Sequence, residues 1–179
     1  MKKSVSGIFL LIFGVFFLYA QDANNVKTYR IGEMGPAGGL IFYDKGSFSN
    51  GWQYLEAAPP DHQFKAFWGI PKNRETGTAI GTGRENTQQN DSPGTITFRC
   101  TQLNINGFYD WFVPSKDELN MMYKNLKLNG LGGFHNNFYW SSSIRKIDGW
   151  YQHFGSGNQN VNPLNLRGSD LLVRPIRAF

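Results

Sequence analysis

The chain has one cysteine, Cys100, among its 179 residues. An internal disulfide is thereby excluded, and with it any paired-thiol redox centre or Cys-x-x-Cys metal site. In an oxidising compartment a lone thiol is expected to be buried and inert. Histidine is nearly as scarce. His62, His135 and His153 are far apart and fall in no HxxxH or HExxH spacing, so no local zinc signature exists. The 13 acidic residues show no carboxylate pair suited to glycoside hydrolysis. No GxSxG elbow accompanies Ser141, Ser142 and Ser143, and serines in a strand bond neighbouring backbone. Gly81-Thr82-Gly83 lacks the third glycine and the Gly-Lys-Ser/Thr of phosphate loops. The expectation is therefore no catalytic residue, no cofactor and no metal.

Long apolar runs are also few. The outstanding one, GIFLLIFGVFFLYA (Gly7 to Ala20), follows Lys2 and Lys3 and is 14 residues long. That length is short for a bilayer span and suits the core of a secretory signal. Residues 1–20 are expected to be a signal peptide cleaved after Ala20, leaving no stable membrane span. No cysteine lies near the junction, so a lipoprotein is not expected. Export places the protein in the periplasm, at the cell surface or in the medium. The remaining 159 residues carry 16 basic and 13 acidic side chains, a net charge of +3. This is no polybasic nucleic-acid binder. All five tryptophans remain, with seven tyrosines and eleven phenylalanines, enough aromatic area to build a core without disulfides.

Residues 21–29 read as a flexible lead-in and 30–179 as one domain. Leu40 to Tyr43 and Trp52 to Ala57 are apolar runs separated by DKGSFSNG, the pattern of strand, turn and strand. Pro59 to Thr97 has little periodicity and reads as an unusually long loop. In DWFVPSKDELNMMYKNL, Ser115 and Glu118 have the spacing of a capping box. Leu119, Met122, Tyr123 and Leu126 form one apolar helical face. The acids Asp117 and Glu118 are thus expected to cap a helix that NGLGG ends. FYWSSS, GWYQHF and LLVRPIRAF read as strands, and Gly155 to Asp170 as a surface loop.

In chain order, IGEMGPAGGLIFYDKG, GWQYLEAAP, TAIGTGRENT, DWFVPSKDELNMMYKNL, GGFHNNFYWSSS, GWYQHFGSGNQN and VRPIRAF resemble the Lcl C-terminal domain family. This is a family of exported bacterial domains of unknown function, here in its spirochaete-type variant, and the resemblance covers nearly all of 30–179. It implies an α+β fold, distantly similar to formylglycine-generating-enzyme-like and C-type-lectin-like domains. That fold is a small, twisted, mostly antiparallel sheet with one or two helices and long loops. The paired cysteines of formylglycine generation are missing here. So are the Glu-Pro-Asn, Gln-Pro-Asp and Trp-Asn-Asp tripeptides of calcium-dependent sugar binding. After YWSSS, where the family commonly has an acid, stand Ile144, Arg145 and Lys146.

Binding is the function this pattern favours. Asn158, Gln159, Asn160, Asn162 and Asn165 supply amides that both donate and accept. Arg145, Lys146 and Arg167 supply cations, and Trp150 and Tyr151 an aromatic platform. Amides and flat rings suit sugars, and arginine suits sulfate or carboxylate. The resemblance agrees, since some relatives are linked to adhesion and sulfated glycans. The expected role is a non-enzymatic, adhesin-like module for a polar or anionic glycan, or another host or envelope surface ligand. An envelope assembly protein and an enzyme of unknown reaction are the alternatives, and asparagine is also the ordinary residue of turns.

Overall fold

The computed structural model describes residues 27–72, 75–163 and 171–179. The expected signal peptide, most of the lead-in, and both Asn165 and Arg167 lie outside the described residues. Strand β1 (Leu40–Ser49) and strand β2 (Trp52–Ala57) form the expected hairpin. Asn50 and Gly51 make its turn with φ of 49° and 79°, the left-handed pair that matches strand twist. Pairing runs from Asp44–Tyr54 to Ser49–Trp52, so Lys45 to Phe48 bulge out of the ladder. The chain then makes a 3₁₀ turn (Pro60–His62) and strand β3 (Phe64–Ala66). Helices α1 (Gly83–Gln89) and α2 (Ile96–Thr101) follow, then α3 (Lys116–Asn125). The last strands are β4 (Phe138–Arg145), β5 (Asp148–His153), β6 (Gln159–Pro163), β7 (Leu171–Val173) and β8 (Ile176–Ala178).

The result is an α+β fold with two sheets and three short helices among the described residues. One sheet has the order β1-β2-β8 and the other β3-β7-β4-β5-β6. Every pairing is antiparallel except β4 with β7. One core joins both sheets to α3 through Phe42, Leu55, Leu119, Met122, Tyr139 and Phe154. A second gathers Trp68, Ile96, Val113, Trp140 and Val173 around Cys100. The thiol is fully buried, and burial pushes its pKa well above the usual range. No described helix is long and apolar enough to cross a membrane.

Three expectations change. LLVRPIRAF is two strands, because Arg174 and Pro175 break it and pass the chain from the five-stranded sheet to the three-stranded one. Proline has no N–H for a ladder. The Asn-rich stretch after Phe154 is not all loop, since Gln159–Pro163 pairs with β5 as the edge strand β6. The segment from Pro59 to Thr97 holds β3, α1 and the start of α2. Helix α1 shows no apolar stripe because its buried residues are Gly83, Asn86 and Thr87. Asn86 donates to the Gly77 carbonyl (2.7 Å) and accepts from its N–H (3.0 Å).

Two buried glutamates pin the glycine-containing segments. Glu56 accepts from the N–H groups of Ala37 (3.1 Å) and Gly39 (2.8 Å) and from Arg177 Nη1 (3.3 Å). Glu118 accepts from Ser115 N–H (2.7 Å) and Gly81 N–H (2.8 Å), while Ser115 Oγ accepts from Glu118 N–H. The capping box is thus formed, and its acid also reaches the loop before α1. A Cβ at Gly83 would overlap the Glu118 carboxylate and approach the Val113 carbonyl. Gly83→Ala should therefore destabilise the protein by about 1–3 kcal/mol in urea titration, although helix propensity alone predicts a gain. A stabilised variant would contradict this packing.

Candidate functional site

Three of the five tryptophans are spent on the core. Trp68, Trp111 and Trp140 are buried, and each indole N–H donates to a carbonyl, of Ser141, Phe108 and Ala66 respectively. Trp52 and Trp150 are only partly buried. Both carry cations over their rings. Lys45 Nζ lies 3.9 Å from the Trp52 centroid. Lys116 Nζ and the Arg145 guanidinium lie 5.5 and 5.6 Å from that of Trp150.

The Trp150 station is built by β4, β5 and β6. Cross-strand partners share a face, and alternate residues change face. Arg145 pairs with Asp148, Trp150 with Val161 and Gln152 with Gln159, so these residues lie on one side. That side meets α3. Gln152 Nε2 donates to Asn120 Oδ1 (2.9 Å), and Gln159 Nε2 donates to the Lys116 carbonyl (2.8 Å). Tyr151 pairs with Asn160 and Gly149 with Asn162, on the opposite face. There Phe138, 40% exposed, packs edge-on to Tyr151 and against His153.

The predicted set is thus divided by the sheet. Arg145, Trp150 and Gln159 come together, joined by Lys116. Tyr151, Asn160 and Asn162 share the other face with Phe138 and His153. Lys146 occupies the exposed β4–β5 turn with φ of 61°. Asn158 shapes the β5–β6 connection, where its carbonyl accepts from His153 N–H (2.9 Å) and its N–H donates to Ser156 Oγ (3.4 Å). Arg167 is outside the described residues. Ser141 and Ser143 donate to the carbonyls of Trp150 and Gly77, and Ser142 Oγ accepts from Asn86.

The Trp52 station is a groove of about 530 Å³ between the β1–β2 hairpin and α1, lined among others by Lys45, Asn50, Trp52, Arg84, Gln88 and Glu118. Sequence reasoning missed it. The bulge in β1 brings Lys45 over Trp52 and to the Ser49 carbonyl (2.6 Å). Arg84 reaches the last strand, donating to the Ala178 carbonyl (2.8 Å). A cation, an amide and an indole in one hairpin were visible in the chain as KGSFSNGW, but their convergence depends on the bulge. Among the described residues no group of three or more His, Cys, Asp or Glu could hold a metal.

Glu118 lines this groove, yet its oxygens are taken up by backbone donors. Burial pushes its pKa up from 4.5 to about 6, against hydrogen bonds from Ser115, Gly81 and Gly83. The folded chain therefore holds this proton more tightly than the unfolded chain. Its contribution to stability is full below pH 4.5 and is lost as pH rises through about 6. No protein-family model matches the chain, and no curated protein matches it.

Wild-type stability measured in denaturant should carry a component that falls by about 2 kcal/mol between about pH 3.5 and 7. Glu118→Gln should remove that component. It should also lower stability at neutral pH by about 1–3 kcal/mol, because its amide NH₂ would meet backbone donors. An unchanged pH profile in the variant would refute the assignment.

Proposed function

We propose that the protein is an exported, non-enzymatic binding module for a polar or anionic glycan, adhesin-like and independent of metal. The observation that carries this reading is the placement of lysine or arginine over both surface tryptophans. An indole offers a flat apolar face to the C–H side of a sugar ring. A cation held beside it pairs with sulfate or carboxylate. Asn50 and Gln88 in the groove add donors and acceptors for hydroxyls, and the Gln159 side-chain carbonyl beside Trp150 adds an acceptor. Membership of the Lcl C-terminal domain family belongs to the same proposal and rests on the order of the motifs.

The mature protein should be retained on a sulfated polysaccharide such as heparin at low salt and released as salt screens the pairing. Arg145→Gln and Lys45→Gln should each weaken retention by about three- to tenfold. Trp150→Ala should do so while a chelator leaves binding unchanged. No retention above background at low salt overturns the reading, and loss on chelation overturns its metal-free part.

A further inference from the structure

Arg174 and Arg177 stand three residues apart, both buried, and differ in one respect. Arg177 meets two acids: Asp110 accepts from Nε (2.9 Å) and Nη2 (3.2 Å), and Glu56 from Nη1 (3.3 Å). Arg174 is 1% exposed, and no carboxylate among the described residues lies within ion-pair distance of it. Its Nη1 donates to the carbonyls of Ala58 (3.1 Å) and Gly132 (2.9 Å), and Nη2 to Gln63 Oε1 (2.9 Å). The guanidinium lies 4.2 Å over the Phe134 ring, and Nε–H has no acceptor. Burial lowers the pKa to about 10, so the charge persists at neutral pH. A buried cation with only neutral acceptors leaves its desolvation cost largely uncompensated.

Beside Arg174 is a partly open cavity of about 230 Å³. Its walls are apolar side chains, Leu40, Ala58, Pro60 and Leu126 among them, and the backbone of four glycines; among the described residues Arg174 is the only charged one in the lining. The space exceeds the roughly 150 Å³ that accommodates benzene in an engineered apolar cavity. Asp61, on the adjoining 3₁₀ turn, is largely exposed and 3.9 Å from His62, and its charge acts on Arg174 only from beyond ion-pair distance.

We propose that this cavity binds a small monocarboxylate with an apolar body of about six carbons. The carboxylate is set against the Arg174 guanidinium and the tail against Leu40, Pro60 and Leu126. The missing counter-charge defines the head group, and the apolar walls define the body. This site is separate from the glycan stations and stands or falls without them.

Hexanoate and hexan-1-ol, titrated into the intact protein and followed by calorimetry and thermal unfolding, decide it. Hexanoate should bind saturably, raise the melting temperature with concentration, and bind at least about tenfold more tightly than the alcohol. Arg174→Met should abolish that preference. Should this variant fail to fold, Leu40→Trp narrows the cavity without touching the guanidinium bonds and should abolish hexanoate binding. Equal affinity for both probes, no saturable binding of hexanoate, or undiminished binding to Leu40→Trp would overturn the proposal and leave Arg174 as a clamp between loops.

Discussion

Two buried carboxylates, each bound by backbone N–H groups of a glycine-containing segment, hold the rest of the molecule in place. Glu56 gathers residues 35–39 and, through Arg177, the C-terminal strand. Arg177 in turn binds Asp110 and lies over the rings of Phe108 and Phe179. Glu118 gathers the segment before α1 and the start of α3. A carboxylate removed from water is costly unless its oxygens are occupied, and backbone N–H groups occupy them only where the chain comes very close. A Cβ at Gly35 would overlap the Glu56 carboxylate, as one at Gly83 would overlap that of Glu118. Glycine is required at these points by contact with an acid.

This arrangement explains how a chain with so much irregular backbone dispenses with disulfides. The poorly periodic region between β2 and α2 is fastened by its own polar side chains and by a serine of β4. Asn86 closes on Gly77, Thr76 Oγ1 donates to the Ser142 carbonyl (3.0 Å), and Ser143 Oγ donates to the Gly77 carbonyl (2.7 Å). With these interior acids and serines committed to the scaffold, the surface groups that the proposed module would use are Trp52 and Trp150 with their cations.

Much of the fold was legible in the chain. Asn50-Gly51 between two apolar runs announces the hairpin, and Ser-Lys-Asp-Glu before an apolar face announces the capped helix, because both signals are local. Helix α1 was not legible, since its buried face is glycine, asparagine and threonine and its stability comes from partners far away in sequence. Strand β6 was hidden by asparagines that also favour turns, and the terminal strand by a proline that switches sheets. Of the site, Arg145, Trp150 and Gln159 were found. Lys116 was read only as part of a cap, and the Trp52 groove depends on a bulge that residue patterns do not encode. Trp150 and Tyr151, read together as one aromatic platform, lie on opposite faces of the sheet. Their joint use by one ligand does not follow from their adjacency.

Native-state hydrogen exchange, resolved by residue, tests the scaffold directly. The amides of Ala37, Gly39, Gly81 and Ser115 sit in connecting segments, yet each donates to a buried carboxylate. They should exchange as slowly as core strand amides such as that of Tyr139, through openings near the global unfolding free energy. Exchange at the rate of an exposed loop such as that holding Asn104, in a protein whose strands remain protected, would show that the two glutamates do not hold the structure together.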